Sequence, residues 1–313
     1  MIEVQSLKYT AESENELNFS IGGKGIHGIF CDNDEETALL TDLLSGCRDT
    51  LIGSILVGKD EAEVCPSEQR AKVGVSLSKM PFYDDMTVFE TLEFVALSKK
   101  VDPERRSRQI KEALSLLGID NIAKKQIKKL SVNNRRRVSA AQALLGNPDT
   151  IIFEAPTADV DENCENAMRE LIKMLGNMKS VVILSSDDNL LIDLCEDVKV
   201  ISGGKLLFDG SSEELASHLE GGRRLTVMLK GSEENMEKAS GQIKALCGVS
   251  LLERDGNVVT VNFNSEIVNR ETILSAFEGS NCVVRSVKIS ARAVAETFCE
   301  DSDENKKEEE YKA

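Results

Sequence analysis

Four carboxylates and a threonine occupy a junction where a phosphate-binding loop could form. The apolar run Gly25–Cys31 predicts a buried strand, and Glu35–Ser45 has the leucine spacing of an amphipathic helix. A loop at such a junction binds phosphate when it has the pattern GxxxxGK[ST], because glycines expose backbone N–H groups, lysine supplies charge and a hydroxyl holds Mg²⁺. This chain has Cys31 at the first glycine and Thr37-Ala38 at the last two positions. Its acids there are Asp32, Asp34, Glu35 and Glu36.

These acids predict weak phosphate binding. Two like charges about 6 Å apart, at an effective dielectric of about 20, repel by roughly 2.8 kcal/mol. We therefore expect no tight binding of MgATP. Under the alternative that the chain still binds nucleotide, Tyr9 would stack on adenine, and Asn33, Thr37 and Glu154 would supply residual contacts. The alternative is that the acids stabilise the N-terminus of the helix through its dipole. The two interpretations are compatible.

A second segment, residues 130–161, predicts a turn, a helix, a buried strand and a loop. Leu130-Ser131 precede a helical run that ends at Asn147-Pro148-Asp149, because proline disfavours the α conformation of the residue before it. The run TIIF at 150–153 is short and apolar, as in central parallel strands covered on both faces. Glu154 and Ala155 directly follow this strand.

This segment resembles the signature and Walker B region of ATP-binding cassette (ABC) ATPases. In that family it runs from LSGGQ through a helix and an apolar strand ending in Asp-Glu to Pro-Thr and Leu-Asp. The frame is kept here in Leu130-Ser131, Pro148, Pro156-Thr157 and Asp161. The residues that the family uses for chemistry are replaced here. Val132-Asn133 occupy the positions of two glycines, Glu154 occupies that of the Walker B aspartate, and Ala155 occupies that of the catalytic glutamate.

The resemblance covers about residues 1–220 in order and implies a nucleotide site. Ser78 takes the place of the glutamine that senses Mg²⁺, and Asp187 that of the histidine that contacts the γ-phosphate. Ala155 cannot polarise the attacking water, and a positioned base typically contributes about 10²–10⁴-fold in rate. The implied nucleotide-site positions are Tyr9, Asn33, Thr37, Ala38, Ser78, Glu154, Ala155 and Asp187. Those that face the opposite subunit of a cassette dimer are Ser131, Val132, Asn133 and Asp161.

The segment after Ser78 matches the family better than the nucleotide positions do. In the family this region forms the groove that receives the coupling helix of the membrane subunit. The resemblance therefore implies permease docking through Phe82, Tyr83, Val88 and Phe89. The alternative is that these residues belong to the ordinary core of the helical subdomain.

The chain is acidic apart from one basic cluster. Its net charge of −16 argues against a nucleic-acid binder, which needs a basic face to neutralise phosphates. The basic cluster could meet an acidic partner or a phosphate, or form a solvated face. It consists of Lys124, Lys125, Lys128, Lys129 and Arg135 to Arg137.

Composition points to a cytoplasmic protein whose membrane contact goes through a partner. No apolar run approaches the ~20 residues that span a bilayer, and the first ten residues have no signal-peptide pattern. The eight cysteines show no metal-ligand spacing, so we expect reduced core thiols and no metal site.

A smaller domain is predicted after Gly221-Gly222. Strands and helices follow there in the order βαββαβ, which is typical of a ferredoxin-like α+β module. It looks like the C-terminal extension of ABC-2-type ATPase subunits, including a terminal helix near Ala291–Phe298. The predicted domains are 1–220, 221–299 and an acidic disordered tail at 300–313.

The sequence thus predicts an α/β fold of the ABC-ATPase type, with a P-loop-NTPase-like sheet and a helical subdomain. The small C-terminal ferredoxin-like α+β module follows this domain. The implied function is a degenerate, non-hydrolysing cassette subunit of an ABC-2-type transporter, with no cofactor beyond weak ATP and Mg²⁺. It would sit on the cytoplasmic face of the membrane, dock on a polytopic membrane subunit and pair with a second cassette as a hetero- or homodimer. The alternatives are a divergent but active transporter ATPase and a soluble regulator.

Overall fold

The computed structural model describes residues 1–10, 13–57, 73–219, 222–264, 267–280 and 282–291. These residues belong to two compact units, Met1–Glu213 and the part of the chain from Glu214 onward. The strands in chain order are Ile2–Lys8 (β1), Leu17–Ile21 (β2), Gly25–Cys31 (β3), Ile52–Val57 (β4), Val73–Ser76 (β5), Thr150–Glu154 (β6), Ser180–Ser185 (β7), Asp197–Ser202 (β8), Lys205–Ser211 (β9), Gly222–Lys230 (β10), Val249–Asp255 (β11), Val258–Asn264 (β12) and Val283–Ala291 (β13).

The helices of the described residues pack around these strands. In chain order they are Asp34–Ser45 (α1), Val88–Ser98 (α2), Pro103–Leu116 (α3), Val132–Leu144 (α4), Glu162–Gly176 (α5), Asp188–Leu194 (α6), Ser212–Leu219 (α7), Glu233–Lys244 (α8) and Arg270–Gly279 (α9). Short 3₁₀ turns cover Asp120–Ile122 and Ile127–Lys129. None of the helices in this described part is long and apolar enough to cross a membrane.

A six-stranded sheet forms the centre of the first unit, in the order β5-β6-β7-β3-β8-β9. The first five strands are parallel and only β9 is antiparallel to its neighbour. β3 and β7 are buried along their whole length, as expected for strands covered on both faces. Parallel strands bring their carboxyl ends to one edge, so the residues after β5, β6, β7 and β3 lie along that edge.

A three-stranded antiparallel sheet, β2-β1-β4, completes the first unit. Its apolar face shares one core with α1 and the central sheet, in which Ile2, Leu40, Leu44, Ile152 and Leu184 are almost fully buried. This core fixes α1 beside the carboxyl edge of β3.

Helix α4 lies directly against the edge strand β5. A Cβ atom on Gly74 of β5 would lie 2.0 Å from the carbonyl oxygen of Ala143, so only glycine permits this approach. The Nε2 of Gln142 donates to the Val75 carbonyl at 3.3 Å, and the Ser139 hydroxyl to the Leu77 carbonyl at 3.0 Å. Together these contacts hold α4 in one position on the sheet.

The second unit has the chain order βαββαβ and one antiparallel sheet, β11-β12-β10-β13. Its core consists of one face of that sheet and the inner faces of α8 and α9. The buried residues include Val227, Val261, Ile243 and Phe277. The predicted terminal helix falls outside the described residues after Ala291, as do Gly221 and the acidic tail.

The described cysteines are all free thiols. Cys31, Cys164, Cys195 and Cys282 are buried, whereas Cys47 and Cys247 are exposed. Burial raises the pKa of the Cys31 and Cys195 thiols far above the ordinary value, so both stay protonated at neutral pH.

Candidate functional site

The carboxyl edge of the central sheet brings most of the predicted nucleotide-site positions together. Ser78 follows β5, Glu154 ends β6, Asp187 follows β7, and Asn33 follows β3. In open parallel sheets, ligands bind in the crevice at this edge. The candidate site is therefore this edge.

The connection between β3 and α1 contains only Asp32 and Asn33. Asn33 is the N-cap of α1, and its Oδ1 accepts from the backbone N–H of Glu36 at 2.8 Å. The N–H of Thr37 donates to the Asn33 carbonyl at 3.1 Å, and the Thr37 hydroxyl donates to the same oxygen at 2.9 Å. Thr37 is 2% exposed. Its hydroxyl is therefore directed at the backbone of this turn, and Ala38 beside it offers no polar group.

Glu36 does not face the phosphate position that the sequence predicted for it. Its carboxylate accepts from the Tyr9 hydroxyl at 2.9 Å and from the N–H groups of Gly203 and Gly204 at 3.3 and 2.9 Å. Ser202 in the same turn donates to Asp32. Glu36 and Asp32 therefore anchor the turn between β8 and β9, whereas Asp34 and Glu35 are exposed.

Tyr9 takes part in this anchor. Burial and the neighbouring Glu36 carboxylate raise the pKa of the Tyr9 phenol above its ordinary value. Its ring lies close to Gly204, since a Cβ there would be 3.2 Å from Tyr9 Cδ2. Glu36 therefore holds the Tyr9 hydroxyl, and one edge of the Tyr9 ring lies against the turn at Gly204.

Ser78 and Glu154 form a direct pair. The Ser78 hydroxyl donates to Glu154 Oε1 at 2.6 Å. The next residue, Ala155, has a φ of +38°, in a region that a residue with a Cβ rarely adopts. Its N–H donates to the Leu184 carbonyl at 2.8 Å, so the turn after β6 is tied to β7. This conformation typically costs about 1–3 kcal/mol and is kept by the surrounding contacts.

Asp187 serves as a helix cap. It is the N-cap of α6, and its Oδ1 accepts from the N–H of Leu190 at 3.1 Å. Its own N–H donates to the Ser185 hydroxyl at 3.0 Å. An aspartate N-cap satisfies one of the free N–H groups of the first helical turn.

The four signature and D-loop positions lie close together. Ser131 caps α4, which begins one turn earlier than the run Arg135 to Leu145 predicted. Asn133 Nδ2 donates to the carboxylate of Asp161, and the Asp161 N–H donates back to Asn133 Oδ1 at 3.2 Å. Asp161 also caps α5. Val132 is 56% exposed, so its side chain is available to a partner.

The predicted docking residues divide into two groups. Tyr83 is 62% exposed, and Phe82 and Phe89 are half-buried. Val88 is fully buried and cannot contact a partner, because it lies on the inner face of α2 and its N–H is bonded to the Lys125 carbonyl. The prediction for Val88 as a contact residue is wrong.

The outer face of α2 supplies apolar residues that the sequence analysis missed. Phe94 packs edge-on against Tyr83, with ring centroids 5.8 Å apart and planes at 86°. Phe94 and Leu97 are both about half exposed. They are three residues apart, opposite the buried Leu92 and Ala96, so the helical period of α2 could have revealed them.

Among the described residues, no group of three or more His, Cys, Asp or Glu side chains is close enough to hold a metal ion. The polar side chains at the carboxyl edge of the sheet instead bond to one another or cap the N-termini of helices.

Comparison with known proteins gives a consistent result. Residues 15–158, a little under half of the chain, match the family model for the ABC transporter. An ABC transporter ATP-binding protein of Synechocystis sp. is 28% identical over 64% of this chain and 55% of its own length. The linearmycin resistance ATP-binding protein LnrL of Bacillus subtilis is 23% identical over 70% of both chains. The chain thus spans little more than half of the first relative.

The fold agrees with a solved cassette. cbiO1 of Clostridium perfringens, part of the ABC transporter complex cbiONQ, superimposes with a TM-score of 0.59 at 21% identity, over 69% of this chain and 90% of that one. The first unit therefore has the α/β fold of these ATPases. In its motif order, its sheet and these matches, the first unit is similar to the ATP-binding domains of ABC transporters.

Proposed function

We propose that this chain is a non-hydrolysing cassette subunit of an ABC-2-type transporter. The observation that carries the proposal is the short junction between β3 and α1. A triphosphate needs free N–H groups, a lysine and a hydroxyl at this place. Here the N–H groups of Glu36 and Thr37 and the Thr37 hydroxyl are all bonded to Asn33. The residues present therefore do not fit MgATP.

The charges at the start of α1 support the same proposal. Asp34 and Glu35 are exposed at the helix N-terminus, where the helix dipole would otherwise attract an anion. Their carboxylates satisfy that dipole and repel a phosphate. The degenerate junction thus disfavours the nucleotide both by geometry and by charge.

The residues after β6 support the absence of hydrolysis. Ala155 has no group that could polarise a water, and the neighbouring Glu154 is bonded to Ser78. Pairing with a second cassette subunit is proposed through the exposed Val132 and the Asn133–Asp161 pair. In a heterodimer, a site formed by the partner's nucleotide motifs and this signature would still be present, whereas a homodimer would have no competent site.

We expect the purified chain to show no MgATP-dependent rise in thermal midpoint and no steady-state ATP hydrolysis. The physical reason is the N–H groups already bonded at the junction, together with the two exposed acids. An intact cassette assayed in parallel is the positive control. Binding of MgATP at micromolar concentration would overturn the proposal.

A second candidate is a divergent but active ATPase, which the close Ser78–Glu154 pair favours. A serine and a carboxylate at this edge could still orient the water shell of a Mg²⁺ ion. Measurable hydrolysis that is lost in Glu154→Ala would select this candidate over the first.

Docking on the polytopic ABC-2-type membrane subunit is proposed through a patch on the outer face of α2. The patch consists of Tyr83, Phe94 and Leu97, which are exposed and adjoin the half-buried Phe82 and Phe89. Aromatic residues of this kind dominate the binding energy of protein interfaces. This contact would place the chain on the cytoplasmic face of the membrane.

We expect the double variant Tyr83→Ser and Phe94→Ser to lose at least about tenfold of its affinity for that subunit, because it removes two aromatic anchors. The measurement is co-purification with a co-expressed polytopic membrane subunit of the ABC-2 type. Met178→Ser is the control, since Met178 is an exposed apolar residue away from the patch. Undiminished co-purification of the double variant would rule out this surface.

The second unit is proposed to be a ferredoxin-like module that stabilises the dimer or regulates it. Its support is the βαββαβ order with an antiparallel sheet in which the first and third strands are central.

A further inference from the structure

The loop at 155–161, between β6 and α5, connects two parts of the candidate site. It follows Glu154 at the carboxyl edge of the sheet and ends at Asp161, one of the predicted partner-facing positions. Ala155 and Asp159 have φ angles of +38° and +59°, in the left-handed region. Such conformations are unfavourable for residues with a Cβ, so contacts with the surrounding structure must keep the loop in this shape.

Asn133 holds the end of this loop. Its Nδ2 donates to the Asp161 carboxylate, and its Oδ1 accepts from the Asp161 N–H at 3.2 Å. Its backbone carbonyl accepts from the thiol of Cys164, in the first turn of α5, at 3.7 Å. Asp161 in turn caps α5 by accepting from the Cys164 N–H at 2.9 Å. The first turn of α4 is therefore bonded both to the loop and to α5.

Arg136 holds the middle of the same loop. It lies three residues after Asn133 on α4, so both side chains are on one face of the helix. Arg136 is 5% exposed, and its Nη2 donates to the Ala158 carbonyl at 2.8 Å. The Ala158 N–H donates to the Ala155 carbonyl at 3.2 Å, so the contact with Arg136 also supports the turn at the start of the loop.

The guanidinium of Arg136 lies near side chains from before, within and after the loop. Burial lowers its pKa, and the neighbouring Cys164, Glu154 and Asp159 side chains act against that shift. Arginine nevertheless keeps its charge at ordinary pH. Attraction between this buried cation and the two carboxylates therefore favours the observed conformation of the loop.

We propose that Asn133 and Arg136 act as a strap that fixes loop 155–161 to α4 in the chain without nucleotide. The loop and the first turn of α4 then form one rigid surface, in which the exposed Val132 lies beside the Asn133–Asp161 pair. A partner cassette would meet this surface already formed. That consequence rests on the proposed pairing, whereas the strap itself does not.

The test is hydrogen exchange of the full chain without nucleotide, measured at the amides of Ala158 and Asp161. Arg136→Gln leaves the acceptors of both amides in place, yet it should raise both exchange rates at least about tenfold. Asn133→Ala should do the same at Ala158, whose amide is bonded to Ala155. Because Asn133 is only half-buried, this variant is expected to fold even if Arg136→Gln does not.

Substitutions of two neighbouring residues are matched controls. Arg135→Gln removes an arginine that pairs with Asp84 at 3.2 Å. Asn134→Ala removes an amide side chain that, among the described residues, makes no bond to the loop. Neither should change exchange in the loop. Amides of the buried strand β7 report opening of the whole unit, and the effect of the strap is the change in the loop beyond any change in β7.

Two results would overturn the inference. One is that the Ala158 and Asp161 amides of the wild-type chain exchange within about tenfold of the rate of an unstructured peptide. The other is that the loop exchanges as slowly in folded Arg136→Gln and Asn133→Ala as in the two control variants. Because nucleotide is absent, a failure of the strap is distinguishable from a failure of the proposed function, which the MgATP measurement tests.

Discussion

Gly74→Ala is expected to destabilise the first unit by about 3 kcal/mol or more, at the upper end of the range for overpacked cores. The added methyl group would lie 2.0 Å from the Ala143 carbonyl oxygen, which is backbone and cannot rotate away. Helix α4 would have to retreat from β5, and this would break the bonds that Gln142 and Ser139 make to the strand and its extension.

The measurement is urea unfolding followed by hydrogen exchange with mass spectrometry, which resolves the two units separately. Gly241→Ala is the control substitution, since a Cβ there has no neighbour within 4 Å. It lies in α8 and should stabilise the second unit by up to about 1 kcal/mol. A loss below about 1 kcal/mol in Gly74→Ala would show that α4 is not held as closely as the structure indicates.

Phe153→Ala is expected to reduce the free energy of unfolding of the first unit by about 3–5 kcal/mol. Phe153 is fully buried in the central strand β6, directly before Glu154, and its removal leaves a cavity between covered faces of the sheet. The neighbouring strands are held by parallel pairing on both sides, so the cavity cannot close easily. The same unfolding measurement gives the size of the effect.

Phe153→Leu is the matched variant. It keeps most of the buried volume and should lose roughly half as much stability or less. Equal losses in the two variants would mean that the aromatic shape matters more than the volume. A small loss in both would place Phe153 outside the tightly packed core.

Several strands of the first unit could be predicted because the residues of each run by themselves indicate a buried strand. The runs 25–31, 150–153 and 180–185 are apolar and β-rich, and each forms a buried parallel strand. The helix Pro103–Leu116 is equally clear from its residues, since its apolar spacing and its proline at the first turn agree.

The site was less predictable because its contacts join distant parts of the chain. Glu36 is bonded to Gly203 and Gly204, and no local pattern could indicate that partner. Val88 was assigned to the surface by resemblance, although the phase of α2 places it inside. Arg136 was noted as one of seven basic residues, but its burial and its bond to the Ala158 carbonyl follow from contacts between distant parts of the chain.

The anchoring of Glu36 limits how this junction could change. A phosphate loop here would require the first turn of α1 to unwind, and the β8–β9 turn would then lose the carboxylate that holds its two glycines. A single substitution such as Thr37→Lys would leave that turn wound and the Glu36 carboxylate in place. A phosphate cradle at this junction therefore requires several distant residues to be replaced together.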